Sequence, residues 1–316
     1  MAKAKGGATP RRPRVGLVLG SGGARGWCHI GVLRELEAMG LRPDIVAGSS
    51  MGALVGAVWA LGRLDALEDV ARSLTRTRVL RMLDLRFSGG GLIGGSGIVG
   101  LLDSIGLTGR IEDMPLPFVA VATDISSGRE VWLRDGRLDD AVRASIAMPG
   151  VIAPKQIGGR WLIDGGVTNP VPVSAARALG AEVVLAVNPN SRSAGNFWVP
   201  SAPRPPRLSS LWPTGLTARF KSAATQEERP VPPAYVHLVT TTIDIMTDQL
   251  RRSRLAGDAP DLLMNARLSD LSVLDFHRAA QAIDEGRRIV RAQAPALEDW
   301  LAAGPGSAEE AEPGEP

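Results

Sequence analysis

Short apolar runs, separated by glycine turns and amphipathic segments, fill the first 190 residues of this 316-residue chain. Val15-Gly16-Leu17-Val18-Leu19-Gly20 is branched and free of polar residues, the pattern of a strand buried on both faces. Ser21 to Gly26 reads as a loop, and Trp27 to Met39 as a helix that Gly40 ends. Asp44 to Gly48 predicts a second strand, and Met51 to Leu61 the helix that follows it. Two strand–loop–helix units in succession predict a parallel sheet with helices on both faces.

Further along, Leu64, Leu67, Val70 and Leu74 mark one face of a helix running from Leu64 to Val79. Ser88 to Gly100 is glycine-rich and apolar, either a flap or a closely packed loop. Pro117 to Asp124 predicts a strand, Glu130 to Arg134 a short edge strand, and Leu138 to Ser145 a helix. Trp161-Leu162-Ile163 is another strand, ended by Asp164-Gly165-Gly166. Pro172 to Leu179 reads as helix and Glu182 to Val187 as strand. Residues 190–233 form a long proline-rich excursion carrying Phe197, Trp198, Leu211, Trp212 and Phe220 among arginines. It reads either as a surface loop packed on the domain or as an interfacial flap that meets acyl chains. From Val236 a strand is expected, then helix from Thr242 to Leu255, and a final helix from Phe276. The pattern predicts a basic arm over 1–13, one domain over 14–302 that includes the excursion, and a disordered acidic tail over 303–316.

Composition narrows the function classes. A formal charge of +3 is small for this length, and basic residues are not interleaved with aromatics, so no nucleic-acid partner is expected. Cys28 is the sole cysteine, which excludes an internal disulfide framework and fits a reducing, cytoplasmic setting. The apolar stretch after Arg14 is too short for a signal peptide. Residues 45–62 are free of charge and approach membrane-spanning length, but their four glycines and two serines divide them into a strand and a helix.

Three elements carry candidate chemistry. Gly48-x-Ser50-x-Gly52 lies between an apolar strand and an apolar helix, where a tight turn needs small neighbours and leaves the hydroxyl exposed above a helix N-terminus. Gly20-Ser21-Gly22-Gly23-Ala24-Arg25-Gly26 offers backbone N–H groups that suit either a phosphate or a developing oxyanion. It is neither a dinucleotide fingerprint nor a P-loop. Asp164 closes an apolar strand ahead of two glycines, placed to accept a serine proton directly or merely to cap the strand. Only His29, His237 and His277 are present as imidazoles. His29 reads as a packed helix residue and His277 as structural, while a Ser50–Asp164–His237 triad stays open. No residue cluster has metal-ligand spacing, and no cofactor is expected.

In order and spacing, the glycine loop, Gly48-Ser49-Ser50-Met51-Gly52 and Asp164-Gly165-Gly166 resemble the three motifs of the patatin-like phospholipases. The likeness is to bacterial members related to the catalytic part of neuropathy target esterase. It spans about Val15 to Asn188 and includes Asp124, Ala144 to Gly150 and Asn169-Pro170-Val171-Pro172. It implies a three-layer α/β/α hydrolase with a mainly parallel central sheet and a Ser50–Asp164 dyad. Ser50 would be the nucleophile, Asp164 the proton acceptor, and Gly22, Gly23 and Ala24 the oxyanion donors. Arg25, Gly26, Gly48, Gly52, Gly165 and Gly166 would support the loops. Ser21 departs from the glycine found in many members. The implied substrate is a lipid or acyl ester, reached through transient contact with a membrane surface. The alternative is a regulatory or scaffolding protein that keeps the fold; oligomeric state is left open.

Overall fold

The computed structural model describes residues 12–82, 100, 102, 104–191, 197 and 235–302. Most of the expected basic arm, the glycine-rich stretch before Gly100, nearly all of the 190–233 excursion and the acidic tail lie outside the described residues. By contacts the chain divides into a main unit, Met1–Ser193 with Met246–Pro316, and a second unit, Ala194–Ile245. Among the described residues of the second unit is the start of a helix at Tyr235. Among the described residues no helix is long and apolar enough to cross a membrane.

In the main unit, β1 (Val15–Leu19) leads through a 3₁₀ turn at Gly23–Trp27 into α1 (Cys28–Ala38). Then follow β2 (Ile45–Ser49), α2 (Met51–Ala60), α3 (Leu64–Ser73), α4 (Arg76–Met82), β3 (Phe118–Asp124) and β4 (Glu130–Leu133). Next come α5 (Leu138–Ser145), β5 (Lys155–Ile157), β6 (Arg160–Asp164), α6 (Val173–Ala178) and β7 (Val183–Ser191). The chain closes with α7 (Tyr235–Gly257), β8 (Leu262–Arg267), α8 (Ala279–Arg291) and α9 (Ala294–Ala302).

Among the described residues one eight-stranded sheet runs β5-β6-β3-β2-β1-β7-β8, with β4 also paired to β3. β3, β2, β1, β7 and β8 are parallel neighbours, while β4 and β6 run antiparallel to β3. Alternate side chains feed two cores. Leu17, Leu19, Val46, Phe118, Ala120, Leu185 and Val187 enter the larger one. Val18, Ile45, Ala47, Val119, Val121, Val184 and Ala186 enter the smaller one around α6. Burial on both faces is what unrelieved apolar strands require. α2 is buried along its whole length, as an all-apolar helix must be. The three-layer architecture is the one the motifs imply.

The pairing around β3 decides the rest. Val121 pairs with Ser49 of β2 and Trp132 of β4, so these two strands occupy opposite edges of β3. Ala122 pairs with Val131 of β4 and with Asp164 of β6, so β6 lies on the same edge as β2. β2 rising and β6 descending therefore meet end to end, Ser49 against Asp164, at adjacent positions of β3. A Cβ on Gly165 would fall 2.1 Å from Val121 O and 2.8 Å from Ser49 Oγ, which shows how closely the ends abut.

Several elements differ from the sequence reading. The helix expected over Leu64–Val79 breaks at Leu74, whose ψ of 121° is extended, because Thr75 Oγ1 accepts Arg78 N–H and caps a new helix. Val236 is helical, not a strand: α7 starts at Tyr235. β5 and β8 were not foreseen, and β7 runs four residues past Val187 because β8 pairs with it.

A Cβ at Gly52 would sit 1.9 Å from Leu19 O, and one at Gly48 2.4 Å from Ala53 Cα, all backbone that cannot swing away. Gly52→Ala is expected to lower stability by about 2–4 kcal/mol, read as a reduced urea midpoint at unchanged m value.

Candidate active site

Ser50 stands between β2 and α2 with φ 56° and ψ −126°. Among the described residues it is the only non-glycine at positive φ, a conformation that costs of order 1–3 kcal/mol. Its neighbours hold it there. Ser50 N–H donates to Ser145 Oγ at 2.9 Å, and Ser145 Oγ–H donates to Val121 O at 2.6 Å. Ser50 C=O accepts from Ala53 N–H at 2.9 Å as α2 begins, which brings the positive end of that helix to the serine.

Asp164 Oδ2 accepts from Ser50 Oγ–H at 2.5 Å, and Oδ1 accepts from Gly166 N–H at 2.8 Å. Thr123 Oγ1–H donates to Asp164 C=O at 2.9 Å and Asp164 N–H donates to Ala147 O at 3.0 Å, fixing the backbone from both sides. Ser50 is 3% exposed and Asp164 5%. Burial pushes the Asp164 carboxyl up to about 6, against smaller lowering by its two hydrogen bonds. Such a carboxylate is still ionised at neutral pH and is a stronger base than an exposed aspartate.

The glycine loop flanks this pair. β1 and β2 are parallel neighbours with Leu19 opposite Gly48, and a Cβ on Gly26 would fall 2.4 Å from Met51 Cβ. The N–H groups of Gly22 and Gly23 have no partner among the described residues. Ala24, expected as a third donor, is a correction: its N–H donates to Val273 O at 2.8 Å, so it is already spent. Gly23 has φ 52° and a Cβ there would meet Val273 O at 2.4 Å, so only glycine fits. Arg25 is buried; its Nε donates to Leu271 O at 2.8 Å and Nη1 to Asn190 Oδ1 at 2.9 Å. Asn190 Nδ2 in turn donates to Ser21 O at 2.8 Å. The arginine braces the loop.

No imidazole lies between Ser50 and Asp164, because their side chains bond directly. His29 is buried, its Nε2–H donating to Gly20 O at 2.8 Å. Burial lowers its pKa to about 4, so it is neutral and its proton is committed. His277 Nε2 accepts from Arg76 Nε–H at 3.0 Å, a structural contact. His237 lies in the second unit, within α7. Asp124 accepts from Ser126 N–H and Ser127 Oγ–H, as a turn former does. Among the described residues no group of three or more histidines, cysteines and acids is placed to hold a metal ion.

Sequence reasoning missed Ser145 as the residue that pins Ser50, and Asn190 as the brace between Arg25 and Ser21. Ser145 closes a recognised helix, but nothing local says that its hydroxyl reaches across to β2. Asn190 sits at the start of the irregular excursion, where a strand residue was not expected.

The sequence pattern of the family described as patatin-like phospholipase matches residues 17–177. An uncharacterized NTE family protein of Mycobacterium tuberculosis is 37% identical over 337 residues, covering 90% of this chain and 92% of that protein. Patatin-like phospholipase domain-containing protein 7 of Rattus norvegicus is 36% identical over 185 residues, 56% of this chain but 14% of that protein. Patatin-like phospholipase domain-containing protein 6 of Homo sapiens is 37% identical over 184 residues, 56% of this chain and 13% of that protein.

The Asp164 carboxyl, about 6 when folded and about 3.9 when unfolded, opposes folding once ionised. That penalty is absent at low pH and develops as pH rises through about 4 to 6. Asp164→Asn removes the charge; its amide oxygen still accepts from Gly166 N–H, while its NH2 donates to Ser50 Oγ in place of accepting from it. It is expected to raise the thermal midpoint at pH 8, by up to about 3 kcal/mol of stability, with the gain vanishing at pH 4.

Proposed function

Because the chain belongs to the patatin-like phospholipase family, we propose that it is a serine lipid acyl hydrolase. It cleaves carboxylic esters of (lyso)phospholipids or related acyl lipids through a Ser50–Asp164 dyad. The observation that carries this reading is the 2.5 Å hydrogen bond between Ser50 Oγ and Asp164 Oδ2 in a buried setting.

Ser50 Oγ attacks the ester carbonyl carbon as its proton passes to Asp164 Oδ2. The carbonyl oxygen becomes an alkoxide facing the N–H groups of Gly22 and Gly23, each well-placed donor being worth roughly 3–4 kcal/mol in the transition state. Collapse of this intermediate expels the alcohol, which takes the proton from Asp164, and leaves an acyl ester on Ser50. Water then attacks the acyl carbon and gives a proton to Asp164. The second collapse returns that proton to Ser50 Oγ and releases the carboxylic acid. Gly166 N–H stays on Oδ1 throughout, so Oδ2 alone is aimed at the proton. Ser145 keeps the nucleophile in its strained conformation, so no reorganisation of Ser50 precedes attack.

A short p-nitrophenyl ester is expected to be turned over by the purified protein and not by Ser50→Ala. Absence of turnover on any ester, phospholipid or acyl-CoA would favour the scaffolding alternative. Asp164→Asn should lose about 10²–10⁴-fold in kcat, whereas His237→Ala and His277→Ala should retain activity. Loss of activity in His237→Ala would replace the dyad with a triad. kcat/KM should fall as pH drops through about 6, where Asp164 becomes protonated, and stay level from pH 7 to 9.

A further inference from the structure

Beyond the end of β2, β3 continues from Ala122 to Asp124 and turns at residues 125–128 into β4. Beside it, β5 and β6 are joined by a turn at Gly158-Gly159. Ile125 N–H donates to Trp161 O at 3.0 Å, so the two hairpin tips stand side by side. At about 3.3 Å per residue the tips rise roughly 10 Å past the level of Asp164.

Their exposed side chains are not those of an ordinary hydrated tip. By strand register, Ile125, Trp161 and Ile163 above the level of Asp164, and Trp132 lower down opposite Val121, all point to one sheet face. Trp161 is 50% exposed, Ile125 49% and Trp132 37%. Thr123 and Thr168 share a hydrogen bond on that face, and the neighbouring Val167, three residues past the dyad aspartate, is 39% exposed. The opposite side of the same tips carries Arg129, across from Asp124, and Arg160, across from Ile157. Both are exposed and neither makes an ion pair among the described residues. The nearest acid on the apolar side, Glu130, is engaged by Trp132 Nε1–H and Arg254.

We propose that these paired tips are the membrane-docking edge of the molecule, entering the headgroup layer of an anionic bilayer beside the dyad. The proposal rests on the hydrolase reading above. Tryptophan and isoleucine on one side supply the apolar contact, because an indole is apolar in body and polar at its N–H and settles at the headgroup level. Arginines on the other side meet lipid phosphates, since among the described residues no carboxylate pairs with them. Entry by the tips brings lipid esters to the edge of the sheet where Ser50 and Asp164 meet.

The test uses the full chain with Ser50→Ala, so that lipids stay intact. It is sedimented with vesicles of phosphatidylglycerol and phosphatidylcholine, or of phosphatidylcholine alone. Sedimentation should be stronger with the anionic vesicles and weaken with salt. Ile125→Ser/Trp161→Ser and, separately, Arg129→Gln/Arg160→Gln should reduce it, the latter by about fivefold per arginine. On the active background, both pairs should retain soluble p-nitrophenyl ester turnover and thermal midpoint while losing turnover of vesicle lipid. Sedimentation unchanged in both pairs, or absent in the parent, would overturn the docking edge. So would a concentration-dependent dimer that the Ile125/Trp161 pair dissolves while vesicle binding is missing. Failure of the parent enzyme on soluble esters would instead count against the hydrolase reading, and the sedimentation result would still decide the edge.

Discussion

Two strands running toward each other along one edge of β3 create the contact on which this molecule turns. β2 delivers Ser50 and β6 delivers Asp164, and the register of β3 sets their ends at adjacent positions, Val121 and Ala122. A hydrogen bond of 2.5 Å between the side chains follows from that junction. The junction leaves almost no space, so Gly165 must present backbone alone to Val121 O. A slip of one residue in the β3–β6 pairing would turn the carboxylate to the other face of the sheet.

The arrangement is unfavourable taken by itself. Ser50 holds a strained backbone, and Asp164 keeps a carboxylate away from water with two hydrogen bonds in compensation. Both are tolerated because the surroundings are over-determined. The wholly apolar α2 locks the turn from below, Ser145 ties Ser50 N–H to Val121 O, and Thr123 and Ala147 fix the Asp164 backbone. The same burial that opposes ionisation also raises the basicity of the carboxylate, so the instability and the chemistry have one source.

The glycine loop is organised differently. Ala24 N–H is used to tie the loop to Val273 O, and Arg25 reaches Leu271 O and Asn190, both well outside the loop. This division between bracing amides and those with no partner among the described residues is invisible in Gly20 to Gly26, where each N–H looks equivalent. The partners come from segments 165 to about 250 residues away. Likewise, β8 is legible only beside β7: Leu-Leu-Met-Asn-Ala-Arg has helix-forming composition, and sheet pairing overrides it. Thr75 stops the helix expected over Leu64–Val79 by a capping bond that a purely apolar periodicity does not register.

Local pattern by itself determined the first strands, the helices at Cys28–Ala38, Met51–Ala60 and Leu138–Ser145, and the small residues around Ser50. These depend on hydrophobic period and on steric limits within a few residues of the turn. The motifs also named Ser50, Asp164, Gly22 and Gly23. Tertiary structure alone decided that serine and aspartate meet without an imidazole between them, and that Ala24 is already engaged. It alone gave Ser145 its hold on Ser50. Each of these is a matter of which polar atom reaches which partner across the sheet, and hydrogen bonding of that kind leaves no periodic trace in the chain.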